Sequence, residues 1–302
     1  MLATTLTRAQ ISEINSSFDS AFAWCQNQGL LMRDPVCTKC GSTLTAYLDK
    51  KVYRCYRRSC EIKISIFERS IFKRMKTDLQ TALSIIYEWS SGIPVKYAAD
   101  TLGLTRSTVS NWYRQIRGLV RIFCDLETPY SIGGQGIIVE IDEFLLVKNN
   151  NRRVLAGQQW VIAGIERGNP SSFFIEFVES RDRDTLLDVI RRRIYPGTVI
   201  MTDECEAYQN LASHLSDFNL VHHWVNHSEN LVHSESPAVH NQTIKGFWSR
   251  LKRHLRECAG TNYVSTIHLH LADFNYRAKF GNNCFMQFMR HVRQYRDANF
   301  NQ

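Results

Sequence analysis

Four cysteines fall between positions 37 and 60, as Cys37-Thr38-Lys39-Cys40 and then Cys55 and Cys60, with fourteen residues separating the two pairs. A tetrahedral ion needs four ligands converging on one point, and two tight turns that each carry a cysteine pair supply that geometry. Gly41 suits the first turn. Residues 43–48 and 52–54 read as strands joined through Asp49-Lys50-Lys51. The pattern predicts a zinc ribbon with structural Zn2+ on Cys37, Cys40, Cys55 and Cys60, the alternative being a group of reduced, buried thiols. A catalytic zinc is not expected, because four thiolates leave no open coordination position. The other cysteines (25, 124, 205, 258 and 284) are scattered and read as core residues.

Metal is preferred to disulfides because the first twenty residues lack the apolar core of a secretory leader. No apolar run approaches the length of a membrane span. The expectation is an intracellular protein with no membrane partner. At 302 residues, 44% of them hydrophobic, the chain can pack two or three domains. Its formal net charge of +8 is unevenly spread. Residues 50–76 hold ten Lys or Arg against Glu61 and Glu68, and residues 245–256 hold five with no acid. Concentrated positive charge of this kind suits a polyphosphate partner, although a solvated charged face would look the same.

Helical periodicity marks residues 8–32, with Ile11, Ile14, Phe18 and Phe22 near one face, and residues 77–124. The second stretch is broken at Ser91-Gly92-Ile93-Pro94 and at Gly103. Between those breaks Ala98 and Leu102 are the buried positions of a short helix, Gly103 makes the turn, and Thr105 can cap the next helix. Val109, Trp112 and Ile116 then face inward. Arg106, Ser107, Thr108, Ser110, Asn111 and Arg114 are left outside, and they are hydrogen-bonding types suited to base edges and phosphates in a major groove. This predicts a DNA-binding helix-turn-helix rather than an ordinary helical hairpin.

Beyond the Pro- and Gly-rich residues 128–136 the period changes. Short apolar runs at 137–142, 160–165, 173–178, 198–202 and 220–225 read as strands, and residues 182–194, 204–215 and 244–255 as helices, which suggests a mixed sheet covered by helices. Two of the strands end in acids, Asp142 and Asp203. If those strands are neighbours, the pair can bind two Mg2+ ions that activate an attacking oxygen and stabilise a leaving oxygen at phosphorus. Acids also cap strand ends without function, and Glu140, Glu143 and Glu204 read as local charge.

Two later segments are more specific. His222-His223-Trp224-Val225-Asn226-His227-Ser228-Glu229-Asn230 and Val239-His240-Asn241-Gln242-Thr243-Ile244-Lys245-Gly246-Phe247-Trp248-Ser249-Arg250-Leu251-Lys252-Arg253 resemble the signature of the Merlin superfamily of DDE transposases and their bacterial ISXO-like insertion-sequence relatives. Leu271-Ala272-Asp273-Phe274-Asn275-Tyr276-Arg277 is similar to that family's closing motif. The likeness runs from the cysteines to about residue 280. It implies an RNase H-like catalytic core and cut-and-paste transposition with Mg2+ or Mn2+. Asp142 and Asp203 would be the first two acids of the catalytic triad. The third, usually Glu, falls at Lys245, which repels divalent cations and offers no ligand oxygen. Lys252 matches the family's basic residue and, with Arg253, is expected at substrate DNA.

The resemblance therefore implies an α/β protein: a helical segment over 1–34, a zinc ribbon over 35–72, an all-α helix-turn-helix over 77–125, an RNase H-like core over 135–282 and a tail over 283–302. Its partner would be double-stranded DNA, as terminal inverted repeats and target, bound by a homodimer or larger assembly. A eukaryotic host would place it in the nucleus. Lys245 leaves three readings open. The chain is a decayed or domesticated element that binds without cutting, or Glu229 or Asp273 replaces the missing acid, or two aspartates suffice for weak activity.

Overall fold

The computed structural model describes residues 5–57, 59–126, 131–147, 159–225, 232–233, 236–258 and 264–300. Contacts divide the chain into two compact units, one made of residues 1–123 and 280–302, the other of residues 124–279.

In the first unit the expected helix over 8–32 is two helices, α1 (Arg8–Ile14) and α2 (Phe18–Asn27). The break follows from local polar groups. Ser17 adopts an extended backbone and its hydroxyl accepts from the Ser20 amide, so a new helix starts there. Strands β1 (Thr45–Tyr47), β2 (Val52–Arg54) and β3 (Lys63–Ser65) form an antiparallel sheet beside the cysteines. Helix α3 (Leu79–Ser90) is capped by Asp78, which accepts from the Thr81 amide at 2.7 Å. Helix α4 (Val95–Leu102) ends on Gly103 at φ 64°, a left-handed conformation that glycine adopts without strain, and α5 (Arg106–Leu126) follows. The Tyr113 hydroxyl donates to the Ile93 carbonyl at 2.9 Å and ties α5 to the α3–α4 turn.

The second unit is a five-stranded sheet. β4 (Ile132–Gly133) lies outside it, pairing with β8 (Ile194–Tyr195). β5 (Ile138–Val147) is central, with β6 (Gln159–Glu166) antiparallel to it and β7 (Phe173–Val178) antiparallel to β6. After α6 (Arg183–Arg193), β9 (Val199–Asp203) pairs parallel with the other side of β5. α7 (Leu211–His214) leads to β10 (Val221–Val225), parallel to β9 at the sheet edge. A small antiparallel pair, β11 (Val232–His233) and β12 (Ser236–His240), precedes α8 (Gln242–Cys258) and α9 (Ile267–Phe280).

Both sheet faces are buried. Val139, Ile141 and Ile200 pack with Leu186, Val189 and Ile190 of α6 and with Tyr208 and Leu211. Val161, Ala163 and Ile165 pack on the other face with Ile244, Phe247, Trp248 and Leu251 of α8 and with Leu271 and Phe274 of α9. The expected helix over 204–215 is instead a single turn at Glu206–Tyr208 followed by α7, because Asn210 takes a left-handed φ of 59° between them. The residues expected as a tail form α10 (Cys284–Phe300), which belongs to the first unit. Its Phe285 ring meets Trp24 and Tyr87, and its Phe288 ring meets Trp89 and Phe123. Among the described residues, no helix is long and apolar enough to cross a membrane.

Candidate active site and metal centre

The ligand atoms of Cys37, Cys40, Cys55 and Cys60 all lie within 4.8 Å of one another. The Gly41 amide donates to the Cys37 carbonyl at 2.9 Å, and the Cys60 amide to the Arg57 carbonyl at 3.0 Å, so each pair sits on its own tight turn. Hydrogen bonding from the Ser42 amide is the main influence pulling the Cys40 thiol down, to about 6. Cys60, hydrogen-bonded to Cys40, is pushed up to about 12. Four converging sulfur ligands, with Cys40 pulled toward its thiolate form, are a set that a soft cation would complete.

On α5, Val109, Trp112 and Ile116 are buried, while Arg106, Ser107, Asn111 and Arg114 are exposed and Thr108 and Ser110 half-buried. The Thr105 hydroxyl accepts from the Thr108 amide at 3.2 Å and also meets the Ser107 and Thr108 hydroxyls. Those two side chains therefore help close the start of the helix.

Asp142 lies in the middle of β5 rather than at its end. The apolar alternation breaks off at Glu140, but the strand's hydrogen bonds to β6 continue past it. On the side of β9 the parallel register pairs Glu140 with Met201. Two residues further along each strand stand Asp142 and Asp203, on the same sheet face. That is the face covered by α8, whose Trp248 indole Nε1 donates to Asp142 Oδ2 at 3.0 Å. Asp142 Oδ1 accepts from the Glu143 amide at 2.9 Å. Burial, then the charges of Glu143 and Asp203, push Asp142 up to about 7. Asp203 Oδ1 is buried, with no hydrogen-bond partner among the described residues. Clustered carboxylates, one of them with an unpartnered oxygen, fit a divalent cation.

Two glutamates that read as local charge are buried structural members of this site. Glu140 accepts from Arg167 Nε at 3.0 Å, from the Thr243 hydroxyl at 2.9 Å and from the Ile244 amide at 3.0 Å. It thus fastens the start of α8 to the strand carrying Asp142, where a carboxylate also suits the helix dipole. Glu143 points to the opposite face and accepts from Arg181 Nε and Nη2, at 3.1 and 3.0 Å, and from the Tyr208 hydroxyl. Burial raises its pKa against the pull of those donors. The acids inside an apolar strand were a visible signal. Their partners, which come from distant segments, were not.

Lys245 is half-buried in the first turns of α8, one turn before Trp248. Among the described residues, Asp142 is held by Trp248 and the Glu143 amide. Lys252 is exposed, with its ammonium 4.4 Å from the centre of the Phe144 ring, and Arg253 is exposed beside it. Of the two acids considered as replacements at position 245, Asp273 is fully buried and accepts from Arg277 Nε at 2.8 Å, which neutralises it. Glu229 lies outside the described residues.

Carboxylates gathered from adjacent strands under a following helix are a set that divalent cations can use at phosphorus. Residues 135–279 match the family model described as the ISXO2-like transposase domain, and the chain carries a domain of that family. It is therefore transposase-like, of an enzyme class that cleaves DNA and transfers strands. No curated protein matches the chain. Among solved structures, a chain of the simian T-cell lymphotropic virus intasome in complex with PP2A regulatory subunit B56 gamma is similar over 64% of this chain and 68% of its own, at 13% identity and a TM-score of 0.31. The Mos1 transposase paired-end complex with left transposon end is similar over 68% and 77%, at 12% identity and a TM-score of 0.29. The mariner Mos1 paired-end complex with Mg is similar over 75% and 80%, at 12% identity and 0.27.

Proposed function

We propose that the chain is the transposase of a mobile element, with an RNase H-like core that cuts the element's ends and joins them to target DNA. The observation that carries this reading is the same-face placement of Asp142 and Asp203, with Trp248 of α8 holding Asp142. These two carboxylates would hold Mg2+ or Mn2+. Bound there, the metal would activate an attacking oxygen and stabilise the leaving oxygen at phosphorus. Trp248 and the Glu143 amide fix the orientation of Asp142 and favour its ionised form. Glu140 keeps α8 in register with that strand, and Glu143 with Arg181 and Tyr208 braces its other face. The cysteine quartet would hold structural Zn2+ and shape a basic ribbon. That ribbon and the exposed residues of α5 (Arg106, Asn111 and Arg114) would bind terminal inverted repeats, and a dimer or larger assembly would bring two ends together. Such a protein works inside the cell, in the nucleus of a eukaryotic host.

The test is a gel assay on supercoiled plasmid carrying the element's ends, with Mg2+ or Mn2+. Nicked and joined products that vanish in Asp142→Asn support the reading, and equal product from that variant contradicts it.

A second reading is favoured by Lys245 alone. With a cation at the third acid's position, the chain would bind the ends as a regulator without cutting. End-specific binding with no metal-dependent product would select it.

A further inference from the structure

Trp224 is 54% exposed on β10, the edge strand of the sheet, although most large aromatic side chains of this unit are packed inside. Its ring lies 6.0 Å from that of His222, which shares its sheet face. His222 is held in place by a 3.0 Å contact between its Nε2 and the Thr202 hydroxyl on β9. The two rings form one wall of a cavity of about 450 Å3. Tyr208 and Asn210 line the same cavity, and so does Asp203 at the end of β9. This is a volume in the usual range for small ligands. A fixed aromatic face and a side-chain amide therefore share one space that reaches the end of β9, where Asp203 stands. Trp224 pairs with Thr202, so its ring lies on the sheet face opposite that of Asp142 and Asp203, and the space borders the proposed cleavage site round the strand end.

A phosphodiester presented to Asp203 brings its flanking nucleotide to the mouth of that cavity. Paired inside a duplex, a base shows only its edge, whereas an unpaired base exposes a face that stacks on an aromatic ring. The Asn210 amide can donate to or accept from the edge of whichever base enters. Resting on the transposase reading above, we propose that the cavity between Trp224 and Asp203 holds an unpaired nucleobase of the DNA strand next to the bond being cut, stacked on Trp224. The strand end must then open locally before or during cleavage, which favours ends whose terminal pairs separate easily.

The experiment uses the full zinc-loaded chain and three fluorescent probes read by anisotropy. The first probe is a single strand of about ten thymidylates, within the usual site size for such grooves. The second has the same phosphates but no bases, and the third is a blunt duplex. Wild type should prefer the thymidylate strand to the baseless one. Trp224→Ala should lose roughly five- to a hundredfold on thymidylate and nothing on the other two probes. Trp224→Phe should keep most of the preference. Trp224→Leu, which preserves apolar bulk, should behave as Trp224→Ala and replaces it if the smaller side chain does not fold. Unchanged thymidylate binding in Trp224→Ala or Trp224→Leu overturns the proposal. So does loss of self-association in place of base binding, since that assigns the ring to a second copy of the chain. Failure of wild type on all three probes is a separate result, because the duplex arm does not involve Trp224, and it removes the DNA-binding reading itself.

Discussion

The Trp248 indole donates to Asp142 Oδ2 at 3.0 Å, so a helix residue sets the orientation of a strand carboxylate. The same ring packs 5.5 Å from Phe144 and 5.4 Å from Phe247. Trp248→Phe keeps the packing and removes the donor. Burial already pushes Asp142 up to about 7, and the lost hydrogen bond had opposed that shift. Asp142 should then stay protonated to higher pH. A hydrogen bond to a charged group contributes about 1.5–3 kcal/mol, so Mn2+ affinity near neutral pH should fall by roughly tenfold or more and recover in part as pH rises. Titration calorimetry across pH measures this. Unchanged affinity at every pH would separate Trp248 from the site's electrostatics.

Asp142 should also make stability depend on pH. Its folded value of about 7 lies above the ordinary 3.8. Between those values the folded chain holds a proton that the unfolded chain lacks, so stability contributed by this group rises as pH falls. The cost of the buried charge is fully present above about pH 7. Asp142→Asn removes that cost and can still accept from Trp248. In buffer free of Mg2+ it should be more stable than wild type above neutral pH, by on the order of a few kcal/mol. The advantage should shrink toward pH 4. Thermal melts of both proteins across pH check this, and a constant difference contradicts it.

Purified protein should contain about one zinc per chain. Cys55→Ser should lower that content, loosen the ribbon and weaken DNA binding. Full zinc occupancy in a Cys37→Ser/Cys55→Ser double variant would place the ion elsewhere.

Much of this architecture was legible in the chain because its signals are local. Cysteine spacing gave the metal-capable cluster, Gly103 and Thr105 marked the two helices around residue 104, and apolar periodicity placed β6, β7, α6 and α8. The misses have physical causes. Ser17 can cap a helix or continue one, and only packing decides. Asn210 divides an apparent helix by adopting a left-handed turn. Helix α10 did carry a signal, since Phe285, Phe288, Met289 and Val292 are all buried at helical spacing. The roles of Glu140 and Glu143 depend on Arg167, Thr243, Arg181 and Tyr208, which tertiary folding alone brings to them.

The exposed face of α5 should read sequence. Arg106→Ala and Asn111→Ala should weaken binding to the element's end more than binding to random duplex, each by about 1–3 kcal/mol. Binding should also weaken steeply with added salt, as released counterions require. An equal loss on all sequences would mean that the helix positions the protein on the backbone and does not read bases.

We propose that Asp142 and Asp203 form one cation site, with Lys245 at the position where a third acid would complete it. Calorimetric titration of Mn2+ into zinc-loaded wild type, Asp203→Asn and Lys245→Glu tests it most directly. Wild type should bind weakly, Asp203→Asn should lose the signal, and Lys245→Glu should bind more tightly because repulsion is exchanged for a ligand oxygen. Binding to Asp203→Asn at wild-type strength, or no gain in Lys245→Glu, would show that these residues do not make up one cation site.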